Sequence, residues 1–384
     1  MKRLRSRTAV VIASGVTGDT YPEDLLNGAI VENSLDLVEM SSELDSIDLQ
    51  VLVSNSDDLI NRARGISPKI TIEKTDDDFH FGRKLYGVIE GYGIENLLYI
   101  GGGTGLLLER ADLDRMLQRI ISEERISISN NFYSTDFFGV SPAGKMLGTS
   151  PPRKDNLLGW KSRDAGFKAA ELERNAKTQV DVDSPGDLIP LREFGTPHKR
   201  LGEYLSSLDL HTSSYHTIKR QLTQPEKRLV VAGRIGASTW SYLEKNAACH
   251  VDVYSEGRGS YAVRRDEEPI PSLLGSFFDR DDPKAVLEVL LSRGTGLLLD
   301  TRIIFNFHGN WPSRSERFWA DLLRPEELKT PYLKDLTEAI LELKQPVIPG
   351  GHSLVSGALY LMVDKAWRDG DVGQVNVRPV TIPL

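Results

Sequence analysis

The chain of 384 residues holds one cysteine, Cys249. An intrachain disulfide is impossible, and no Cys/His zinc set can be assembled. That composition suits a reducing compartment, and a cytoplasmic location is expected. Long apolar runs are missing as well. No window approaches the ~18 apolar residues of a membrane span, so no membrane partner is expected. The basic start, residues 1–7, precedes an apolar run at 9–13 that is too brief for the core of a secretion signal. Positive charge is in deficit, with 47 Lys+Arg against 55 Asp+Glu and a formal net charge of −8. This speaks against nucleic acid as a partner, because phosphate backbones require clustered cations. Gly101-Gly102-Gly103-Thr104-Gly105 lacks the Lys-Ser/Thr ending of a Walker A loop, and no serine sits in a nucleophile elbow.

What remains is an ordinary globular mixture, 40% hydrophobic and 27% charged, long enough for two or three domains. The first half alternates strands with helices. Strands are read at 9–13 (AVVIA), 49–53 (LQVLV), 70–72 and 97–100 (LLYI). Helices are read at 58–64, 79–92 and 111–121, where apolar residues recur at helical spacing. Such alternation implies right-handed crossovers and a mainly parallel sheet. A Pro-rich break at 149–156 and a polar stretch at 192–227, with a helix around 201–208, follow. A second α/β series begins with a strand at 229–232 and continues with a helix at 238–245 and a strand at 250–254. It then shows a helix at 283–291, a long strand or strand pair at 297–307 (LLLDTRIIFNF), helices at 315–323 and 333–343, a strand stub at 346–348 and an apolar helix at 354–367. The expected organisation is a domain at 1–195, a linker at 196–227 and a second α/β domain at 228–384. Homo-oligomerisation is left open.

Three segments occur in a telling order. The first is Ala13-Ser14-Gly15, closing the first strand. The second is Leu98-Tyr99-Ile100-Gly101-Gly102-Gly103-Thr104-Gly105-Leu106, followed by Ala111-Asp112-Leu113. The third is Asp181-Val182-Asp183-Ser184-Pro185-Gly186-Asp187-Leu188. Over roughly residues 8–191 this order resembles the GT-A nucleotidyltransferases of the nucleotide-diphospho-sugar transferase superfamily. The nearest look is to the molybdenum-cofactor guanylyltransferase and 2-phospholactate guanylyltransferase group, whose late segment reads Asp/Asn-x-Asp-Thr-Pro-x-Asp-Leu. The resemblance implies a GT-A-like, Rossmann-type three-layer sandwich with a mainly parallel sheet, beside a second α/β domain. It implies binding of a nucleoside triphosphate or nucleotide conjugate, and transfer of NMP to a phosphorylated or carboxylated small molecule with Mg²⁺. Backbone around Ser14, Gly15, Gly101, Gly102 and Gly103 would surround the nucleotide. Asp183, with Asp181 or Asp136, would hold the metal; Asp187 either flanks it or caps the following helix.

The sequence departs from that pattern at two places. No basic residue stands between Arg7 and Arg62, so the loop after the first strand has no cation for a triphosphate. Gly103 or Thr104 occupies the position of the family's first metal-binding aspartate. A catalytically inactive GT-A-like binding or scaffold protein is therefore the alternative, with any chemistry in the second domain. Asn130, Asn131 and Tyr133 either read a base by hydrogen bonding and stacking or form a tight turn that Asp136 caps.

The second domain offers its own constellation. Arg234, Glu256, Arg258, His308 and His352 follow strand ends and would line one edge of a parallel sheet. Arginines suit a phosphate or carboxylate, and the two histidines suit acid/base work. Asp300 and Arg302, read within one strand, either join that site or form a same-face structural ion pair.

Overall fold

The computed structural model describes residues 7–76, 78–258 and 269–368. Two compact units emerge, and they interleave along the sequence. One comprises Met1–Gly18, Asn27–Asp181 and Thr196–Ser207; the other comprises Asp19–Leu26, Val182–Gly195 and Leu208–Leu384. The stretch expected as a linker is thus divided. Helix Lys199–Ser207 belongs to the first unit and helix Ser213–Gln221 to the second. The late segment 182–195, expected in the first domain, belongs to the second unit.

The first unit has seven strands: β1 (Arg7–Ser14), β2 (Leu49–Ser54), β3 (Thr71–Lys74), β4 (Ile94–Gly101), β5 (Ile126–Ser129), β6 (Phe137–Ser141) and β7 (Lys168–Glu171). Their order is β3-β2-β1-β4-β6-β5-β7. Only β6 runs antiparallel to its neighbours. Side chains on successive strand residues face opposite sides. Val10, Ile12, Leu52, Leu98 and Ile100 accordingly pack with Leu35, Leu59, Leu113 and Leu117 on one face. Ala9, Val11, Val51, Val53, Leu97 and Tyr99 pack with Leu85, Val88, Ile89 and Leu158 on the other. The result is the three-layer α/β sandwich expected from the sequence.

Helix Tyr21–Ser42 has no counterpart in the sequence reading. Its apolar stripe is interrupted by polar residues that are nevertheless buried: Asn33, Ser34, Asp36 and Ser41. Each has a partner, as burial demands. Asn33 Nδ2 donates to the carbonyls of Gly102 (2.8 Å) and Thr104 (2.9 Å), and Asp36 accepts the Leu201 N–H at 2.9 Å. Ser34 and Ser41 hydroxyls donate to carbonyls one turn back.

The second unit has four parallel strands: β8 (Arg228–Gly233), β9 (His250–Ser255), β10 (Gly296–Asp300) and β11 (Val347–Gly350), in the order β11-β10-β8-β9. Val230, Ala232, Leu297 and Leu299 pack with Leu274, Leu287, Ile303 and Ile340 on one face. Helix Ser213–Gln221 packs on β8 and β11, and on helix Gly357–Arg368. The long strand or strand pair expected over 297–307 is corrected. β10 stops at Asp300, and Arg302–His308 is a helix. Asp300 Oδ1 accepts the Arg302 N–H at 3.2 Å, turning the chain, and the apolar residues Ile303, Ile304 and Phe305 are buried from a helix instead.

The topology has two switch points, the kind of place where open α/β sheets commonly bind ligands. In each sheet the chain leaves a central strand toward one edge and returns to build toward the other. The switch lies between β1 and β4 in the first sheet and between β8 and β10 in the second. Crevices form there, outside the carboxyl ends of the strands. Among the described residues, no helix is long and apolar enough to cross a membrane.

Candidate functional site

At the first switch point the ends of β1 and β4 are drawn together, the Gly102 N–H donating to the Ala13 carbonyl at 2.8 Å. A Cβ on Gly102 would stand 2.7 Å from Ser14 Oγ and 2.8 Å from Ser34 Oγ, so this approach requires glycine. Ser14 Oγ is buried and has no hydrogen-bond partner among the described residues. Gly103 lies half-buried in the turn that follows. Beyond Ser14, exposed Gly15 opens a loop that two asparagines clamp. Asn55 accepts the Val16 N–H (3.0 Å) and donates to its carbonyl (2.9 Å); Asn27 does the same for Thr17 (3.2 and 3.1 Å). Those peptide groups are already occupied and are not offered to a phosphate.

Asp136 arrives at the same edge, its carbonyl accepting the Gly101 N–H at 3.2 Å. Asn130 braces it: Nδ2 donates to Asp136 Oδ2 (2.8 Å) and the Thr178 carbonyl (3.0 Å), while Oδ1 accepts the Asp136 N–H (2.9 Å). Asn131 Oδ1 accepts the Tyr133 N–H (3.1 Å) and Arg174 Nη2 (3.2 Å). Both asparagines therefore build the turn. Tyr133 is 66% exposed and sits edge-on to Phe132 and Trp160.

A second carboxylate, which the sequence did not single out, joins Asp136. Asp155, from the 3₁₀ turn Asp155–Leu157, accepts the Tyr99 hydroxyl at 3.0 Å. Its Oδ2 lies 3.7 Å from where a Gly101 Cβ would stand. Burial, then the charge of Asp155, its hydrogen bond and the charge of Asp136, hold the Tyr99 hydroxyl well above its usual range. The Asp136 carbonyl and the Asp155 carboxylate thus both lie beside Gly101, and the charges of both aspartates bear on Tyr99. Asp181 ends the first unit's long segment, its backbone bridging Thr104, and Asp183 follows two residues later. Among the described residues, no three His, Cys, Asp or Glu side chains gather closely enough to hold a metal.

In the second unit, Asp187 proves to be a cap. Its Oδ2 accepts the N–H groups of Asp183 (3.0 Å) and Ser184 (2.9 Å), closing a capping box ahead of Leu188–Phe194. Burial first, then the carboxylates of Asp183 and Asp321, push its pKa up to about 8. Burial also pushes Asp321 up to about 6, against the opposing Ser184, Arg317 and Arg302.

The β8/β10 edge is organised around Asp300, which is 0% exposed. Arg302 grips it with Nε at 2.7 Å and Nη2 at 2.6 Å, and the Arg234 N–H donates to it at 3.1 Å. The two strand ends meet because Gly233 has φ +130° and no side chain; a Cβ there would stand 2.3 Å from Asp300 Cβ. Arg234 Nε donates to the Gly257 carbonyl at 3.3 Å. The Arg258 guanidinium carbon lies 3.7 Å from the Cβ position of Gly236, the N-cap of helix Ala237–Asn246. His352 follows β11. Burial, then the charges of Arg302, Arg258 and Arg234, hold its imidazole well below the ordinary range, so it is neutral at physiological pH.

Two residues expected here serve elsewhere. Glu256 caps helix Leu273–Arg280, accepting from the Ser272 hydroxyl and from the N–H groups of Leu273 (2.9 Å) and Leu274 (3.1 Å). His308 ends helix Arg302–His308, about 9 Å along the axis from Arg302 at the α-helical rise. Its ring stacks on Tyr332 at 4.0 Å, and Nδ1 lies 3.8 Å from Asp279.

No protein-family model matches the chain, and no curated protein matches it. The chain is similar in fold to solved nucleotidyltransferases. A cytidylyltransferase from Leptospira borgpetersenii is 13% identical over 53% of this chain and 93% of its own, with a TM-score of 0.39. A CMP:2-keto-3-deoxy-manno-octonic acid synthetase complexed with CTP is 11% identical over 49% and 98%, at 0.36. A 4-diphosphocytidyl-2C-methyl-D-erythritol synthase from Anaerococcus prevotii is 10% identical over 52% and 96%, at 0.35. The likeness to the guanylyltransferase group rests on motif order alone.

Proposed function

We propose that the first unit is nucleotidyltransferase-like and holds a Mg²⁺-bound nucleoside triphosphate or nucleotide conjugate at the ends of β1 and β4. The observation that supports this reading is that Asp136 and Asp155 both act on Tyr99 and stand beside Gly101, at the carboxyl end of β4 in a mainly parallel sheet. Mg²⁺ is commonly bound by one or two carboxylates together with substrate phosphates, so a pair suffices. Asp155 supplies the carboxylate that the turn at Gly103 and Thr104 lacks. The ion would neutralise charge on the phosphoryl oxygens. Asn130 fixes Asp136, Tyr99 fixes Asp155, and Ser14 offers a buried hydroxyl without a partner among the described residues. The reaction such a site would run is transfer of NMP to a phosphorylated or carboxylated small molecule. With no cation in the loop after β1, part of the usual transition-state stabilisation is missing, and transfer is slow relative to binding.

The clamps of Asn27 and Asn55 favour a second reading, a GT-A-like scaffold that binds without transfer. Thermal shifts with GTP, CTP, ATP and UTP, each with and without Mg²⁺, test the binding; a ligand at 100 times its Kd stabilises by about 2.7 kcal/mol. A Mg²⁺-dependent shift lost in Asp136→Asn and in Asp155→Asn supports the site. A shift indifferent to Asp155→Asn removes it. Pyrophosphate release then separates transferase from scaffold.

A further inference from the structure

Resting on the reading of the first unit as a Mg²⁺-nucleotide site, we infer that Arg153 and Lys154 supply the cations that the loop after β1 lacks. They hold the polyphosphate of a nucleoside triphosphate whose Mg²⁺ rests on Asp136 and Asp155.

Charge sets this segment apart. Residues 143–163 contain five cations, Lys145, Arg153, Lys154, Lys161 and Arg163, and one acid, Asp155, in a chain whose formal net charge is −8. The fold fastens residues 149–156 at several points. Thr149 Oγ1 lies 2.7 Å from the Tyr86 hydroxyl, and the Pro152 carbonyl accepts the Gly82 N–H at 2.9 Å. That seat on helix Phe81–Tyr92 requires glycine, because a Cβ on Gly82 would stand 2.4 Å from the Pro152 carbonyl oxygen. Asp155 accepts the Tyr99 hydroxyl at 3.0 Å. Asn156 Nδ2 donates to Ser134 Oγ at 3.0 Å and reaches Asp136 Oδ1 at 3.5 Å. Pro151 and Pro152 remove further backbone freedom.

Arg153 and Lys154 are the two side chains that this fastened segment leaves over. Both are exposed, and neither forms an ion pair among the described residues. The Lys154 Cα is about 3.8 Å from that of Asp155, the carboxylate beside Gly101, and Arg153 is one step further. From there their long, flexible side chains reach phosphates gathered around a metal on Asp155. Neighbouring cations are engaged. Arg174, which donates to Asn131, pairs with Glu171, and Lys177, next to Thr178, pairs with Glu109 and Asp112. The Val16 and Thr17 peptide groups are occupied by Asn55 and Asn27. Phosphate charge beyond what Mg²⁺ neutralises therefore falls to Arg153 and Lys154. Flexible, exposed cations strengthen binding; they are not a preorganised clamp on the transition state.

The test titrates the full chain with GTP, CTP, ATP and UTP in Mg²⁺, by calorimetry. Arg153→Gln and Lys154→Gln should each weaken the triphosphate that binds about tenfold, and the double variant about a hundredfold, the worth of one and of two charge-assisted hydrogen bonds. Lys145→Gln removes an exposed charge from the same segment and should leave affinity within about twofold, because an exposed charge that does not touch the ligand is screened by salt. Arg153 and Lys154 are exposed, so the melting curves of their variants should match that of the parent. Binding that Asp155→Asn abolishes, but that the double variant leaves within about twofold of the parent, overturns this inference and leaves the carboxylate site standing. A loss in Lys145→Gln equal to that in Lys154→Gln also overturns it, since the diffuse field of the segment then accounts for the effect. Absence of Mg²⁺-dependent binding of all four triphosphates overturns both.

Discussion

Asp300→Asn is the most incisive perturbation of the second unit. Asp300 is wholly buried and accepts two guanidinium hydrogen bonds from Arg302, at 2.7 and 2.6 Å, and two backbone N–H groups, at 3.2 and 3.1 Å. Asparagine keeps the shape and one acceptor oxygen, but it deletes the charge and turns an acceptor into a donor facing Arg302. The guanidinium is then left in a site of low polarity without its counter-ion. At an effective dielectric of about 20, two charges about 4 Å apart attract by about 4 kcal/mol. Removing one partner of a buried pair typically costs about 3–5 kcal/mol, and the two estimates agree. For a unit of this size that lowers Tm by about 6–20 °C. Four of the five tryptophans, Trp240, Trp311, Trp319 and Trp367, belong to the second unit and Trp160 to the first, so in a Trp160→Phe background tryptophan fluorescence during urea or thermal unfolding follows the second unit. The double variant Asp300→Leu, Arg302→Met removes both charges. It should recover most of the loss, leaving about 1–2 kcal/mol for the two backbone N–H groups deprived of an acceptor. A single-variant cost below about 1 kcal/mol, or a double variant no better than the single, would refute the argument that a desolvated ion pair stabilises the turn from β10 into helix Arg302–His308.

Other expectations are as direct. Asp187, with a folded pKa of about 8 against an unfolded value of about 3.9, keeps a proton that the unfolded chain releases. Its contribution to stability is therefore fullest below about pH 4 and declines as pH rises toward 8, so the advantage of Asp187→Asn over the parent should widen from pH 5 to pH 8 in urea titrations. An advantage that narrows over that range would mean the carboxylate is ionised in the fold. Ser14→Ala removes a buried, unpartnered hydroxyl and should raise stability by about 1 kcal/mol while weakening the Mg²⁺-nucleotide shift; stabilisation with full nucleotide binding would leave Ser14 without a role in the site. Gly102→Ala forces a methyl against Ser14 and Ser34 and should cost about 1–3 kcal/mol, read as a lower urea midpoint.

Much of the scaffold is legible in the sequence because buried parallel strands are short apolar runs with turn chemistry at their ends. β1, β2, β4 and β8 all have that form. Helix Tyr21–Ser42 lacks the corresponding signal because its buried face mixes leucines with Asn33, Ser34, Asp36 and Ser41, and the partners of Asn33 and Asp36 are distant in sequence. The same limitation applies at the first candidate site. Asp136 stands out in a polar, aromatic run, but Asp155 sits in a stretch whose prolines announce only a break. Nothing local to Asp155 says that it will meet Tyr99, 56 residues away in sequence. Asp187 is the opposite case: Ser184, Pro185 and Asp187 spell a capping box, and the structure contains it.

The second site shows how one element assignment propagates into a chemical one. A strand over 297–307 would place His308 at a strand end, among the arginines. Eleven residues at about 3.3 Å each would run about 36 Å, whereas β8 and β9 have six residues each and β11 has four. A strand that long would overhang its neighbours by half its length, leaving backbone N–H and C=O groups unpaired in a buried layer. Asp300-Thr301-Arg302 is where the sheet runs out, and the only regular structure that then satisfies the backbone of the following apolar residues within the segment itself is a helix. Once it forms, His308 is carried away from the strand ends and Arg302 is turned back onto Asp300. The histidine that remains at the edge is His352, because β11 is four residues long and stops beside β10. Sheet dimensions, applied to the sequence before any side-chain chemistry is assigned, are therefore enough to choose between the two histidines.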